Sequence, residues 1–339
     1  MAVGAVTMAL GAVPGELVRR PRSQTVPRRH STGGAGDGGA GGGTLAWRWG
    51  SRATGVAQGR ERRRGSWGGS AKGNRVACRA QAWAEPEWVE TKVTGSVEAA
   101  GGIRLVTVAT PEGFGYTAAG QYVQMKAPGV EKPGFFAVAS APASSGEETQ
   151  FLIKCKGEAA EALCGLEPGA EVTVSKAMGR GFDLGAALPN RAKARSGTVL
   201  LFATGTGIAP IRALIENPNE GGVSQRGLLT KKRKEVRLYY GARTPDEMAF
   251  ASSFVDWHYY RDVEIVPCIS QPPSNNDWKQ GVFEKAFEGY VQDALLADTA
   301  IIEPKDSAAF LCGQKEMVEA VKSILGEQGV PEDRMLLNF

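Results

Sequence analysis

The chain has 339 residues, 42% of them hydrophobic, and a formal net charge of +4, which is enough for a terminal extension and two ordinary domains. No apolar run approaches the roughly 20 residues that a membrane-spanning helix needs, so we expect no transmembrane segment. The charge is divided: residues 1–79 hold 14 basic and 3 acidic residues, whereas residues 80–339 hold 26 basic and 33 acidic ones, so the larger part gives no general argument for a nucleic-acid partner.

Residues 1–79 are rich in Gly, Ala, Arg and Ser and have no sustained apolar period. Such a segment cannot bury a core, so we expect a disordered leader. The composition is typical of an organelle transit peptide, and Val76-Ala77-Cys78 loosely resembles a chloroplast processing site. We therefore expect a chloroplast protein, with the mitochondrion as the alternative address. A disordered regulatory tail is the remaining interpretation.

Residues 85–190 form the first predicted domain, in which short runs of strand-forming residues alternate with turns. Six strands at this spacing predict a small antiparallel barrel. One helix interrupts them at Glu158–Leu166, directly after Gly157. That helix either receives a phosphate group at its N-terminus or plugs one end of the barrel. The predicted strands are Val89–Glu98, Ile103–Ala109, Gln121–Ala127, Phe135–Ser140, Thr149–Cys155 and Glu171–Ser175.

Residues 195–339 form the second predicted domain, in which strands and helices alternate. This order predicts a doubly wound parallel sheet with its ligand at the carboxyl ends of the strands. The predicted strands are Thr198–Ala203, Val236–Tyr240, Val263–Ile269 and Ala308–Cys312. The predicted helices are Ile208–Glu216, Pro245–His258, Phe283–Leu296 and Lys315–Gln328.

A glycine turn links the first of these strands to the first helix, with the sequence Thr204-Gly205-Thr206-Gly207-Ile208-Ala209-Pro210. Glycine lets a ligand approach the backbone closely, and Pro210 suits the first turn of a helix. Free N–H groups at the helix start would hold a pyrophosphate. The alternative is a turn that needs glycine for its geometry alone. Gly241–Arg243 and Cys312–Gln314 follow other strands and are expected at the same edge.

The five cysteines are Cys78, Cys155, Cys164, Cys268 and Cys312. Their spacing matches neither a disulfide framework nor a metal motif, so we expect no metal centre and a reducing compartment. His258 is the one histidine after residue 79, which disfavours a histidine-based metal site or a Ser-His-Asp triad.

The glycine turn, the segment Tyr239–Arg243 (YYGAR) and the segment Leu311–Val318 (LCGQKEMV) together resemble the ferredoxin–NADP reductase superfamily over about residues 85–339. Ser270–Pro272, Trp278 and the ending LLNF are similar to its plant and algal plastid subgroup, the fruit-protein oxidoreductases. The resemblance implies an FAD-binding barrel followed by an NAD(P)-binding α/β domain. It also implies electron transfer between NAD(P)H and a separate redox protein or small acceptor.

The family's flavin-binding R-x-Y-S/T string corresponds to Gly134–Ala137, so the resemblance places Phe136 over the flavin ring. The family's arginine is Gly134 here, and its hydroxyl is Ala137. FAD would then bind weakly, or the smaller FMN would be used, with Lys132 or Lys154 as a substitute cation. The other flavin-site residues that the resemblance implies are Val138, Ser140, Gly157, Ala159 and Ala160.

In the nucleotide domain, the resemblance assigns Thr204, Gly205, Thr206, Gly207, Ile208 and Pro210 to the pyrophosphate, and Gly313 and Gln314 to the nicotinamide. Arg243 would meet the adenosine end and favour NADPH over NADH by binding its 2′-phosphate. Cys312 would lie near the hydride path as a catalytic residue, or be a small buried strand-end residue. Phe339 would stack on the flavin, or simply pack.

These observations predict a flavin-dependent NAD(P)H oxidoreductase. A degenerate protein that binds nucleotide or a partner without flavin chemistry is the alternative, because of Gly134 and Ala137. A third interpretation is an electron-transfer subunit resembling that of bacterial dihydroorotate dehydrogenase, but the sequence lacks the cysteine set of an iron–sulfur centre.

Overall fold

The computed structural model describes residues 85–187, 197–218, 235–298, 301 and 303–338. The expected leader and Phe339 lie outside this described part of the chain. The described residues all belong to one unit, Cys78–Phe339.

The first half of this unit is an antiparallel sheet closed into a barrel, as the sequence predicts. Its elements are β1 (Trp88–Ala100), β2 (Ile103–Ala109), β3 (Tyr122–Lys126), β4 (Gly134–Ala137), β5 (Glu148–Lys154), α1 (Glu158–Cys164) and β6 (Glu171–Ser175). The strand order is β4-β3-β6-β1-β2-β5, and a bridge between Val138 and Phe151 connects the two edges. Alternate residues of several strands face one apolar core, as in Val106 and Val108 of β2 or Val123 and Met125 of β3. Leu163 of α1 is buried in this core, so α1 covers the barrel end.

The second half is a parallel sheet with helices on its faces. After α2 (Leu184–Ala187), its elements are β7 (Thr198–Thr204), α3 (Ile208–Glu216), β8 (Glu235–Ala242), α4 (Phe254–Arg261), β9 (Glu264–Ile269), β10 (Phe287–Glu288), α5 (Val291–Ala297), β11 (Ala308–Cys312), α6 (Lys315–Glu327) and β12 (Met335–Leu337). The strand order is β10-β9-β8-β7-β11-β12. β7 lies at the centre and its residues 198–203 are all buried, which explains its unbroken apolar run. None of the helices in the described ranges is long and apolar enough to cross a membrane.

The connection order reverses between β7 and β11. β7 pairs with β8 on one side and with β11 on the other, so chain segments leave the two carboxyl ends in opposite directions. This topological switch point is where doubly wound folds bind ligands. The barrel packs beside it: Leu152 and Ala139 share an apolar cluster with Leu201, and Arg212 donates a hydrogen bond of 2.9 Å to Gln150 Oε1.

Two predicted helices are wrong in extent. The segment Phe283–Leu296 contains the short edge strand β10 before α5, and Gly289 between them has a φ of +147° that breaks a helix. The segment Pro245–His258 divides into a 3₁₀ turn at Pro245–Glu247 and the later helix α4. Phe250 lies between them with a left-handed φ of +60°. β12 was not predicted at all.

The expectation that the cysteines form no disulfide is wrong for one pair. Cys155, which follows β5, is bonded to Cys164 at the end of α1, with their Cα atoms 5.9 Å apart. The two residues are nine positions apart in sequence but neighbours in space, because α1 folds back along β5. Cys268 and Cys312 are buried free thiols.

Candidate functional site

A cavity of about 960 Å³ lies at the switch point, between the barrel and the carboxyl edge of the parallel sheet. Phe136, Ala137 and Lys154 line it from the barrel, and Gly205 and Cys312 line it from the sheet. Its size and its mixed apolar and polar wall are those of a small-molecule or cofactor site.

The predicted glycine turn forms the floor of this cavity. Residues 204–207 all line it, and Gly205–Gly207 form a single 3₁₀ turn that leads into α3. Gly205 has a left-handed φ of +54° and open space where a side chain would be, so its backbone is accessible. Tyr240 supports the turn from below by donating to the Gly205 carbonyl at 3.2 Å. Burial raises the pKa of the Tyr240 phenol, which keeps this donor protonated.

The second loop, Cys312–Gln314, lies directly against the first. A Cβ at Gly207 would overlap the Cys312 carbonyl, and a Cβ at Gly313 would overlap the Thr204 hydroxyl. Thr204 Oγ1 accepts a hydrogen bond from the Gln314 N–H at 2.9 Å. The absence of side chains at both glycines is therefore what brings these two predicted site segments together.

Arg243 lies on the rim of the cavity and is paired with Glu247. Its Nη2 lies 2.6 Å from Glu247 Oε1, and its Nε donates to Oε2 at 2.9 Å. This bidentate pairing raises the pKa of the Arg243 guanidinium. Both residues line the cavity, so the cation that the sequence assigns to a phosphate already has an anionic neighbour.

Cys312 lies in the cavity wall at the end of β11 and is 7% exposed. Burial raises the pKa of its thiol to about 12, so it is protonated at neutral pH. A protonated buried thiol is not a nucleophile, and its small size leaves room beside the glycine loop. The geometry supports a wall residue rather than a group that takes part in covalent chemistry.

Phe136 and Gly134 form a matched pair on the barrel wall. A Cβ at Gly134 would lie 2.5 Å from Phe136 Cζ, so the Phe136 ring occupies the space that a side chain at 134 would need. The glycine therefore lets the ring fold over its own strand. An arginine at position 134 and this placement of the ring are mutually exclusive.

Several predicted site residues do not line the cavity. Val138 is buried in the barrel core, and the Ser140 hydroxyl bonds Ser145 Oγ at 2.8 Å. The Gly157 N–H donates to Glu161 Oε1 at 3.1 Å, so an acidic side chain already occupies the start of α1. Ala160 does line the cavity, whereas Ala159 does not. Ile208 and Pro210 are buried in α3, and the cavity contact there comes from Ala209.

Sequence reasoning missed other lining residues. Lys156 joins Lys154 at the end of β5, so two cations face the barrel side of the cavity, whereas Lys132 is not a lining residue. Among the other missed residues are the polar side chains of Glu247, Gln271, Tyr290 and Asn338. Lys154 and Lys156 carried a usable signal, since their i, i+2 spacing in a strand and its extension favours one face.

The residues present fit a flavin together with a nicotinamide dinucleotide. The barrel offers an aromatic ring for stacking and two lysines for phosphate, and the sheet offers an open glycine turn at the start of α3. A buried amide nitrogen on Asn338 has no hydrogen-bond partner among the described residues. These features define a two-domain dinucleotide-dependent reductase.

Comparison with known proteins agrees with this class. Residues 201–323 match the oxidoreductase NAD-binding domain family. The fruit protein pKIWI502 of Actinidia deliciosa is 35% identical over 232 residues, which cover 66% of this chain and 67% of that protein. The reductase component of propane 2-monooxygenase from Mycolicibacterium goodii is 28% identical over 222 residues, covering 64% of this chain and 57% of its own length.

Two solved structures share the fold. The cytochrome P450 reductase GcoB of Amycolatopsis has a TM-score of 0.58 at 21% identity, covering 75% of this chain and 70% of that one. A ferredoxin–NADP⁺ reductase of Neisseria gonorrhoeae, solved with FAD and NADP, has a TM-score of 0.57 at 18% identity and covers 75% of this chain and all (100%) of that one. The chain belongs to the ferredoxin–NADP reductase-like oxidoreductase superfamily, a group of NAD(P)H-dependent flavoprotein reductases.

The contact between the two glycine loops predicts the effect of adding one methyl group. We expect Gly207→Ala to lower the free energy of unfolding by about 1–3 kcal/mol, because its Cβ meets backbone that cannot rotate away. It should also weaken nucleotide binding by displacing Cys312–Gln314. Chemical denaturation and nucleotide titration measure the two effects.

Gly326→Ala is the matched control, because Gly326 is exposed in α6 with no atom within 4 Å of an added Cβ. It should raise the free energy of unfolding by roughly 0.4–1 kcal/mol. Equal stability of Gly207→Ala and the unmodified chain would show that the loops do not depend on this contact.

Proposed function

We propose that this protein is a flavin-dependent oxidoreductase that passes reducing equivalents between NAD(P)H and a separate electron acceptor in the plastid. The observation that carries the proposal is the single cleft. It brings the aromatic wall of the barrel, at Phe136 and Ala137, opposite the glycine turn and the Cys312-Gly313 loop of the parallel sheet.

A bound flavin would supply the hydride and electron chemistry, so the chain's own residues have to bind, orient and exclude water. The backbone of residues 205–207 and the start of α3 would hold the nucleotide pyrophosphate. Gly313 leaves room for the nicotinamide beside the cavity wall formed by Cys312. Direct hydride transfer needs no side-chain base, and His258 lies on α4, outside the residues that line the cavity.

The flavin phosphate would be held by Lys154 and Lys156. Lys154 ends β5 and Lys156 follows it, so their positive charge comes from a different strand than the family's arginine. That arginine would lie on β4, where this chain has Gly134. Each is an ammonium on a flexible stem and not a fixed guanidinium fork, so the phosphate is held by charge more than by geometry. Such a site accommodates FAD or FMN.

The first prediction from this proposal concerns flavin uptake. The purified full-length chain should show a flavin absorbance spectrum, or acquire one on addition of FAD or FMN. Lys154→Gln combined with Lys156→Gln should weaken flavin binding at least about tenfold, because a charged hydrogen-bond donor is lost. Lys132→Gln, which removes a lysine outside the cavity, should leave flavin binding unchanged.

A colourless chain that takes up neither FAD nor FMN would contradict the proposal. It would favour the second candidate function, a protein that binds nucleotide or a partner without flavin chemistry. Two observations support that candidate: position 137 has no hydroxyl, and Glu161 occupies the start of α1 where a phosphate would otherwise approach.

The electron acceptor is proposed to be a separate carrier protein or a small molecule. The Mycolicibacterium goodii relative is named as the reductase component of a monooxygenase, which is a multi-protein arrangement of this kind. The described residues contain no group of His, Cys, Asp and Glu side chains that would hold a metal ion. On this proposal the flavin and nucleotide would bind to this chain, and a partner would receive the electrons.

Arg243 and Glu247 are proposed to set the preference between NADPH and NADH. The 2′-phosphate of NADPH is a dianion that attracts Arg243 and is repelled by Glu247, whereas the free ribose of NADH has no such charge. We expect Arg243→Ala to weaken the binding of NADPH at least about tenfold more than the binding of NADH. Glu247→Gln should strengthen the binding of NADPH and leave the binding of NADH nearly unchanged, because it frees the Arg243 guanidinium.

Calorimetric titration of both nucleotides against the unmodified chain and the two variants tests this pair. Equal losses of affinity for NADPH and NADH in Arg243→Ala would mean that the guanidinium contacts adenine or the pyrophosphate. The predicted preference for NADPH would then be wrong.

The plastid address is proposed from residues 1–79 alone, from their Arg- and Ser-bearing, acid-poor composition. A fluorescent protein fused after residues 1–85 should enter chloroplasts of a plant or algal cell. Mitochondrial or cytosolic fluorescence would refute the proposal. A fusion in which every arginine of residues 1–79 is replaced by glutamine is the matched control and should stay in the cytosol.

A further inference from the structure

Asn338 lies where the last strand of the parallel sheet meets the barrel. β12 pairs in parallel with β11 up to Leu337 opposite Leu311, so Asn338 is level with Cys312 at the carboxyl edge. On its other side it adjoins the barrel, because a Cβ on Gly179 would lie 4.0 Å from the Asn338 carbonyl oxygen and 2.9 Å from Tyr122 Cε1. Asn338 also lines the cavity.

The side chain of Asn338 is buried without a hydrogen-bond partner. The residue is 3% exposed, and its Nδ2 makes no hydrogen bond to any residue that the structure describes. An amide placed this way has lost its water without replacement, which is unfavourable in the protein alone. Buried polar groups normally have partners, so an orphaned donor at a cavity points to a ligand.

The position of Asn338 relates it to the hydroxyl that the barrel lacks. Ala137 lies in the β4 wall of the barrel, as the strand partner of Tyr122. Ala137 is the position where the family resemblance places a hydroxyl against the flavin ring, and its methyl group cannot donate. Ala137 and Asn338 both line the cavity, one from the barrel and the other from the end of the parallel sheet.

We infer that the Asn338 side-chain amide binds the polar edge of the flavin ring in place of a residue-137 hydroxyl. The inference rests on the proposed flavin function and assigns one group of that site. An amide carries both donor hydrogens and an acceptor oxygen. It therefore suits a ring edge that accepts hydrogen bonds when oxidised and carries a donor when reduced.

Asn338→Leu tests the inference, because leucine keeps the approximate shape and removes the polar atoms. In the flavin-free full-length chain, the free energy of unfolding should stay equal or rise, since the orphaned donor is gone. The dissociation constant for FAD or FMN, measured by quenching of flavin fluorescence, should rise roughly two- to tenfold. A purely structural role for Asn338 predicts the reverse, with lower stability and unchanged flavin binding.

Asn338→Asp adds a second readout. It keeps the shape and replaces the donor by a negative charge, so the midpoint potential of the bound flavin should fall below that of the unmodified chain. Asn217→Leu is the control: Asn217 is also buried, at 4% exposed, but unlike the Asn338 amide it is a residue with an interaction partner. That variant should lose stability while its flavin dissociation constant stays unchanged.

The outcomes separate this inference from the proposed function. An unmodified chain that takes up no flavin overturns both. Two results would overturn the assignment of Asn338 alone. One is an Asn338→Leu variant that binds flavin as tightly as the unmodified chain. The other is an Asn338→Asp variant whose flavin has an unchanged midpoint potential. Weaker NADP⁺ binding in Asn338→Leu with unchanged flavin binding would move the amide to the nicotinamide and also overturn it.

Discussion

The candidate site depends on the close approach of two backbone loops at the switch point of the parallel sheet. Gly207 faces the Cys312 carbonyl and Gly313 faces the Thr204 hydroxyl, with no side chain between either pair. The hydrogen bond from the Gln314 N–H to Thr204 Oγ1 holds the loops in this register. A larger residue at either glycine would separate the loops and open the floor of the cavity. The strand order sets where the cavity lies, and these two glycines let the two loops approach closely enough to form its floor.

The local sequence pattern was sufficient to predict the strands and helices whose buried residues recur with a regular period. β7 is a continuous apolar run because it is covered on both sides, and α6 buries one apolar stripe, which includes Met317, Val321 and Leu325. The barrel strands β3 and β6 alternate as half-buried strands do. The edge strand β10 has two residues, and its pairing with β9 gives it its conformation. A pattern that short carries no periodicity, so it was mistaken for helix.

The site divides in the same way between local and distant contributions. The glycine turn was predictable because its chemistry lies in consecutive residues, and residues 204–207 do line the cavity. Glu247 and Asn338 reach it through the packing of separate elements, which no local spacing encodes. The pairing of Cys155 with Cys164 also depends on α1 folding back along β5. Conversely, resemblance alone could not show that Val138 and Ser140 are used inside the barrel.

The glycine at position 134 explains why flavin binding would be shared between the two domains. With the Phe136 ring folded over Gly134, β4 has no space for a phosphate-binding arginine, and Ala137 offers no hydroxyl. The barrel's positive charge at the cavity comes from Lys154, the last residue of the edge strand β5, and from Lys156 just after it. An unpartnered polar group at the cavity comes from Asn338, after β12. On the proposed assignment, the barrel would not complete the flavin site by itself. Since Asn338 directly follows β12, the proposed assignment would make the docking of that last strand part of the flavin site.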